Sequence, residues 1–175
     1  MRPDTTEEKF VPAWWLPEGH SQTLWRKFSG AETVEHVRNR VDLEDGDFID
    51  VDFLSASQMD AARQRALVVL LHGLCGSSSS SYILSLQRHL STEGYSSIAM
   101  NFRGCSGELN RRGRAYHSGV SDDLQEVLNA VIETFNPDTI SLVGYSLGGN
   151  VLLKWLGEGR DYAMINRAVA VSTPF

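Results

Sequence analysis

The run Gly144-Tyr145-Ser146-Leu147-Gly148-Gly149 constrains this chain most, because it stands between an apolar segment, Thr139 to Val143, and a helical pattern through Val151, Leu152, Leu153, Trp155 and Leu156. A serine with small residues two places before and two after it marks a strand that turns sharply into a helix. At such a turn the two backbones approach so closely that glycine is needed at 144 and 148, and Gly149 extends the same small surface. The strained turn is expected to lift the Ser146 hydroxyl above the edge of a sheet. The helix that starts there is expected to aim the Leu147 N–H at negative charge developing beside it.

The flanking pattern specifies the sheet. Ala66 to Leu71 is a six-residue Val- and Leu-rich run, which reads as a strand buried on both faces of a parallel sheet. A helix is predicted over Tyr82 to Glu93, with Tyr82, Ile83, Leu86 and Leu90 on one stripe and Gly94 as its stop. Tyr95 to Asn101 is the next strand. A third helix is predicted from Ser121 as cap, with Asp122 and Asp123 against the dipole and Leu124, Val127, Leu128, Val131 and Phe135 at helical spacing. Asn136-Pro137 ends it, and Ala168 to Val171 begins a further strand. Strand and helix in alternation demand right-handed crossovers, hence a mostly parallel sheet with flanking helices, an α/β domain. Ahead of it, Val41 to Leu43, the turn Glu44-Asp45-Gly46-Asp47 and the alternating Phe48 to Phe53 predict a hairpin. Residues 55–65 read as a loop or short surface helix. Residues 1–30 read as an irregular arm, whose Trp14, Trp15 and Trp25 are expected to be buried against the domain of residues 31–175.

Bulk properties exclude several functions. The 175 residues are 42% apolar and 22% charged, which suits one core-forming domain. A net charge of −6 argues against nucleic acid as a partner. The longest apolar run, Ala66 to Leu71, is far short of the roughly 20 residues that span a bilayer. The first residues, Met1-Arg2-Pro3-Asp4, do not read as a signal peptide. Cys75 and Cys105 lack CxxC spacing and suit free thiols in a reducing cytoplasm. No Walker loop, GxGxxG, HExxH or EF-hand pattern occurs, so no cofactor and no metal is expected. Oligomeric state is not legible.

A second group of residues belongs with Ser146. His72-Gly73-Leu74-Cys75-Gly76 follows the first central strand, where a second oxyanion donor is expected, and the Leu74 N–H is the candidate. His72 abuts the strand end, so it reads as a hydrogen-bonding support for that loop with Gly73 rather than as a general base. Arg103, in Asn101 to Gly107, reads as an ionic anchor for its loop. Arg111, Arg112 and Arg114 read as a solvated surface.

The arm Pro12-Ala13-Trp14-Trp15-Leu16-Pro17-Glu18-Gly19-His20-Ser21-Gln22-Thr23, the loop HGLCGSSSS, NFRGCSGELNR, Tyr116-His117-Ser118-Gly119 and GYSLGGN together resemble the YheT-like group of α/β-hydrolase esterases, from about residue 10 onward. The resemblance implies an α/β-hydrolase fold that hydrolyses small-molecule carboxylic esters of short-chain or lipid-like acids without a cofactor, by a Ser-Asp-His triad. It implies Ser146 as nucleophile, with Leu74 and Leu147 as oxyanion amides.

The family pattern also implies a later acid and histidine. Here no histidine follows His117, and the acids after Ser146 are Glu158 and Asp161, neither on a strand-end loop. The expectation is therefore a C-terminally truncated hydrolase, inactive or weakly active as this chain. His20 belongs to the arm and His89 to a helix, which leaves His117 as the one substitute base on the right edge. A non-catalytic binding relative and an acyltransferase, in which an alcohol intercepts the acyl-enzyme, stay open.

Overall fold

In the computed structural model, residues 11–28, 34–57, 63, 65–160 and 163–174 are described. The chain divides into two compact units, Met1–Glu32 and Thr33–Phe175. In the first, a helix α1 (Gly19–Phe28) stands where an irregular arm was expected. It is entered through a turn in which the Ser21 hydroxyl donates to the Glu18 carbonyl at 2.7 Å and the Gln22 amide to the Leu16 carbonyl at 2.9 Å. Burial of all three tryptophans is corrected. Trp14 is 90% exposed, while Trp15 and Trp25 meet edge to face with centroids 4.7 Å apart.

In the second unit the alternating residues form the expected hairpin, β1 (Val37–Asp42) and β2 (Phe48–Leu54), with Asp42 opposite Phe48. The order continues through β3 (Ala66–Leu71), α2 (Ser81–Thr92), β4 (Ser96–Met100), α3 (Ser121–Phe135), β5 (Thr139–Tyr145), α4 (Leu147–Gly157) and β6 (Ile165–Val171). Among the described residues the sheet order is β1-β2-β4-β3-β5-β6, with β4, β3, β5 and β6 parallel and β2 antiparallel to both of its neighbours, β1 and β4. The expected loop or surface helix at 55–65 lies largely outside the described residues.

The central strand explains the layers. In β3, Leu67, Val69 and Leu71 join α3 and α4 in one core, while Val68 and Leu70 face Ile83 of α2 in another. Alternating apolar side chains therefore demand helices on both faces. From β3 the chain crosses to β4 on one side, and from β5 it crosses to β6 on the other. The carboxyl ends of β3 and β5 thus flank the switch point, where open α/β sheets bind ligands. Strand β6 is exposed along nearly its whole length.

Two local expectations change. Ser121 does not cap α3; the N-cap is Val120, without a side-chain bond. The Ser121 hydroxyl instead donates to Glu158 Oε1 at 3.0 Å and accepts from Lys154 Nζ at 2.7 Å, so it joins α3 to α4. Arg103 anchors its loop as expected, by a fork on Asp123 with both bonds at 2.8 Å and by bonds to Asp45 and Asp47 at 2.8 and 2.9 Å. The basic run is more engaged than a solvated face: Arg111 reaches Asp42 at 2.9 Å and Arg114 lies 3.6 Å from Asp45.

Candidate active site

β5 ends at Tyr145, and Ser146 follows at φ +50° and ψ −115°. A non-glycine residue there costs on the order of 1–3 kcal/mol and persists only where its surroundings over-determine it. They do so here. The Ser146 N–H donates to the Val171 carbonyl at 2.8 Å, and its carbonyl accepts the Asn150 N–H at 3.1 Å. Gly144 pairs with Leu71 across the sheet. A methyl carbon at Gly144 would lie 2.5 Å from the Gly148 carbonyl oxygen, and one at Gly148 would lie 2.6 Å from the His72 carbonyl oxygen. At Gly149 it would run into Thr173 Oγ1. The three glycines let α4 rest on the ends of β3 and β5 with Ser146 at its N-cap.

The loop after β3 faces this turn. A methyl carbon on Gly73 would lie 3.3 Å from Ser146 Cβ. Around it nearly every amide is committed. Gly73 N–H donates to the Tyr82 hydroxyl at 2.9 Å, Cys75 N–H to the Tyr116 hydroxyl at 2.8 Å, Gly76 N–H to the Gly73 carbonyl at 3.1 Å, and Ser78 N–H to Asn101 Oδ1 at 2.8 Å. The Leu74 N–H has no acceptor among the described residues, and Leu74 is exposed. Leu147 opens α4, where first-turn amides have no partner within the helix.

His72 is buried and uses both ring nitrogens. Its Nε2 accepts the Phe102 N–H at 3.1 Å, so the proton sits on Nδ1, which donates to the Gly73 carbonyl at 2.7 Å. Burial pushes its pKa below the usual histidine value, against the upward pull of the Gly73 carbonyl. The ring meets Phe102 edge on, and Phe102 stacks on Tyr116. A neutral, doubly engaged imidazole holds a loop and has no lone pair left to take a proton.

These elements enclose a cleft of about 320 Å³ lined by Gly73, Leu74, Tyr82, Tyr145, Ser146, Val171 and Ser172. No imidazole or carboxylate is among its lining residues. His117 is exposed and accepts the Gly119 N–H on Nδ1 at 3.0 Å, His36 pairs with Gln87 at 2.9 Å, and His89 sits in the last turn of α2. Glu158 engages Lys154, Ser121 and Arg160. Asp161 lies outside the described residues. Cys75 and Cys105 are free thiols, and burial pushes the Cys105 thiol pKa up. No group of three or more metal-ligating side chains occurs among the described residues. The sequence signalled Ser146, Leu74 and Leu147 by spacing, whereas Tyr116 and Asn101 lay in stretches that carried only the resemblance, with no sign that they would hold the loop after β3. Tyr82 read only as a member of a helical stripe.

A family described as alpha/beta hydrolase fold matches residues 66–174. The chain belongs to that family. Among relatives of this chain, "Putative esterase YheT" of Escherichia coli (strain K12) is 36% identical over 173 residues, covering 98% of this chain and 50% of that protein. "Phospholipase ABHD3" of Homo sapiens is 36% identical over 157 residues, covering 86% of this chain and 38% of that protein. The chain thus spans half the length, or less, of these relatives. The YheT-like assignment stands. Two solved structures share the hydrolase fold. The Pyrococcus furiosus esterase Pf2001 superimposes with a TM-score of 0.65 at 22% identity, over 80% of this chain and 52% of that one. XC6422 from Xanthomonas campestris, described as an a/b serine hydrolase without lid, gives 0.61 at 21% identity, over 81% and 72% of the two chains.

Proposed function

We propose that this chain carries the nucleophile and the oxyanion donors of a serine-dependent carboxylic ester hydrolase acting on short-chain or lipid-like esters. The observation that carries the reading is the forced turn at Ser146, packed against Gly73 and flanked by the uncommitted amides of Leu74 and Leu147. Ser146 Oγ adds to the ester carbonyl carbon, and the carbonyl electron pair moves onto oxygen between those amides. Each such donor is worth about 2.7–4 kcal/mol to the transition state. The serine proton passes to a general base of imidazole class, water later hydrolyses the acyl-enzyme, and Ser146 is regenerated. His72 is not that base, because its Nε2 is occupied. His72, Gly73, Gly144, Gly148 and Gly149 frame the turn and the loop.

With no imidazole among the described residues that line the cleft, the 175-residue chain by itself is expected to turn esters over weakly or not at all, since loss of a triad histidine costs about 10^6-fold in kcat in a well-studied protease. Among the described residues no helix is long and apolar enough to cross a membrane. The free thiols of Cys75 and Cys105 support a cytoplasmic site of action.

The test is covalent labelling with a fluorophosphonate probe, on protein expressed from the complete reading frame and on the 175-residue chain. The expected result for the former is one adduct, mapped to Ser146 and absent from Ser146→Ala. Equal labelling of the alanine variant overturns the nucleophile assignment. Ligand binding without an adduct or turnover favours a non-catalytic relative.

A further inference from the structure

Tyr82 is the second residue of α2, half-buried, and lines the cleft with Ser146. Its phenolic oxygen accepts the Gly73 N–H at 2.9 Å. A phenol has one proton to donate besides its acceptor lone pairs. Among the described residues nothing accepts that proton, so the O–H is left as a donor on the wall of the cleft. The point where a Gly73 methyl carbon would sit is 3.3 Å from Ser146 Cβ and 3.6 Å from Tyr82 Oη, so serine side chain and phenol flank the same small volume. A methyl carbon on Gly76 would lie 2.9 Å from that oxygen, so glycine at 76 is what leaves the hydroxyl its room. The ring is held against Tyr145, the residue before the nucleophile position, with centroids 4.8 Å apart.

We infer that Tyr82 is a further catalytic residue, whose hydroxyl donates a hydrogen bond to the carbonyl oxygen of the bound ester alongside the Leu74 and Leu147 amides. The inference rests on the reading of Ser146 as nucleophile. As the Ser146 Oγ–carbon bond forms, the carbonyl π pair moves onto oxygen, and the serine proton goes to the imidazole-class base. Tyr82 keeps its proton and only shares it. When the tetrahedral species collapses, the electron pair returns, the bond to the leaving alkoxide breaks, and that alkoxide takes the proton from the base. Accepting the Gly73 N–H strengthens this donation, because a polarised hydroxyl is a better donor. The same bond fixes the oxygen in place beforehand.

A purely structural tyrosine would need only its acceptor lone pair for Gly73, which makes the two roles separable. In protein expressed from the complete reading frame, Tyr82→Phe is expected to lower kcat/KM for a p-nitrophenyl ester by about 10²-fold, mostly through kcat. The second variant replaces Tyr82 with a ring-fluorinated tyrosine, which keeps the shape and acidifies the phenol. Once ionised, that oxygen accepts from Gly73 better than before but donates nothing. The expected result is a new alkaline limb in the kcat profile that the native protein lacks. A fluorotyrosine profile superposing on the native one overturns the donor role, including in the case where Tyr82→Phe fails to fold. Unchanged kcat/KM in a folded Tyr82→Phe also overturns it. If Ser146→Ala abolishes fluorophosphonate labelling while these Tyr82 results are negative, this inference alone fails; if Ser146→Ala labels like the native protein, the underlying reading fails.

Discussion

Replacing Gly148 with alanine is the sharpest mechanical test of the turn. The new methyl carbon would lie 2.6 Å from the His72 carbonyl oxygen and 2.7 Å from that of Leu71, where contacts under 3.0 Å are essentially never seen. Both obstacles are main chain at the end of the central strand, so neither swings aside. The helix must therefore lift off β3 by at least about 0.4 Å, the shortfall against that limit. Overpacking of this kind costs about 1–3 kcal/mol. For a domain of this size each kcal/mol lowers Tm by about 2–4 °C, so the melting temperature should fall by roughly 2–12 °C. Ser146 rides on the same helix. Since a misplacement of about 1 Å costs about 10²-fold in rate, labelling should slow by at least about tenfold. Gly157→Ala is the control: nothing lies within 4 Å of its added methyl carbon, it ends the same helix, and a gain of about 0.4–1 kcal/mol is expected from the unfolded state. Calorimetry and fluorophosphonate labelling read both effects. A Gly148→Ala protein that melts at the native temperature and labels at the native rate would refute the argument that the glycines wedge the turn into shape.

Arg103→Ala removes the cation beside Asp47 and leaves Asp123 only Arg114 at 3.9 Å, both carboxylates being fully buried, so urea denaturation should show a loss of about 3–5 kcal/mol. Stability should also fall with pH in two stages. His72 is held below its usual pKa, so as pH drops below about 6.5 the unfolded chain takes up a proton that the folded one refuses, and stability declines; urea midpoints of His72→Gln should lack that part of the slope. For Asp47 and Asp52, burial alone would raise the pKa, but hydrogen bonds from Asn110 and the Arg111 and Phe48 amides in one case, and from Arg38, Ser78 and Asn101 in the other, hold both carboxylates low. Their contribution is present above about pH 3.9 and is lost as pH falls through the folded values, which acid unfolding of Asp52→Asn should show as a shallower transition. On β6, Val169 is 49% exposed on an edge strand, so the 175-residue chain should self-associate with concentration, and Val169→Lys should reduce this in sedimentation velocity.

Much of the architecture was legible because it rests on hydrophobic period. The continuous run Ala66 to Leu71 specified a strand covered on both faces, and the strict alternation of Phe48 to Phe53 specified the hairpin. The turn at Ser146 was legible for a steric reason, since two glycines at fixed offsets record how closely two backbones approach. What stayed hidden depends on contacts distant in the chain. Nothing local tells that Ser121 meets Glu158, 37 residues on, rather than capping its own helix. The same holds for Tyr116 and Cys75, 41 residues apart, whose bond fixes the loop opposite the serine. The tryptophan arm misled because aromatic content does not reveal local pairing: Trp15 and Trp25 meet each other edge to face within the first unit. Trp14 stays in solvent, and the segment after it satisfies its backbone as a helix.

The position of the proposed oxyanion site follows from an accounting of main-chain amides. A buried or half-buried N–H finds a partner or costs free energy, so a loop packed at a sheet edge has few amides to spare. Between residues 73 and 76, three amides are consumed by Tyr82, Tyr116 and the Gly73 carbonyl, which leaves that of Leu74. Across from it the helix start supplies Leu147, whose amide is free because no residue precedes it in the helix. The donors are thus selected by what their neighbours have already satisfied, and they stay in place because those neighbours are rigid: a buried His72 locked by two bonds, and a phenyl stack beneath it. Such donors need no reorganisation when charge develops, which is where most electrostatic catalysis originates. In the proposed mechanism proton transfer is a separate requirement, placed on a group that need only reach Ser146. On the proposed reading the chemistry divides in space, with charge stabilisation built in at the carboxyl ends of β3 and β5 and apart from the group that takes the proton.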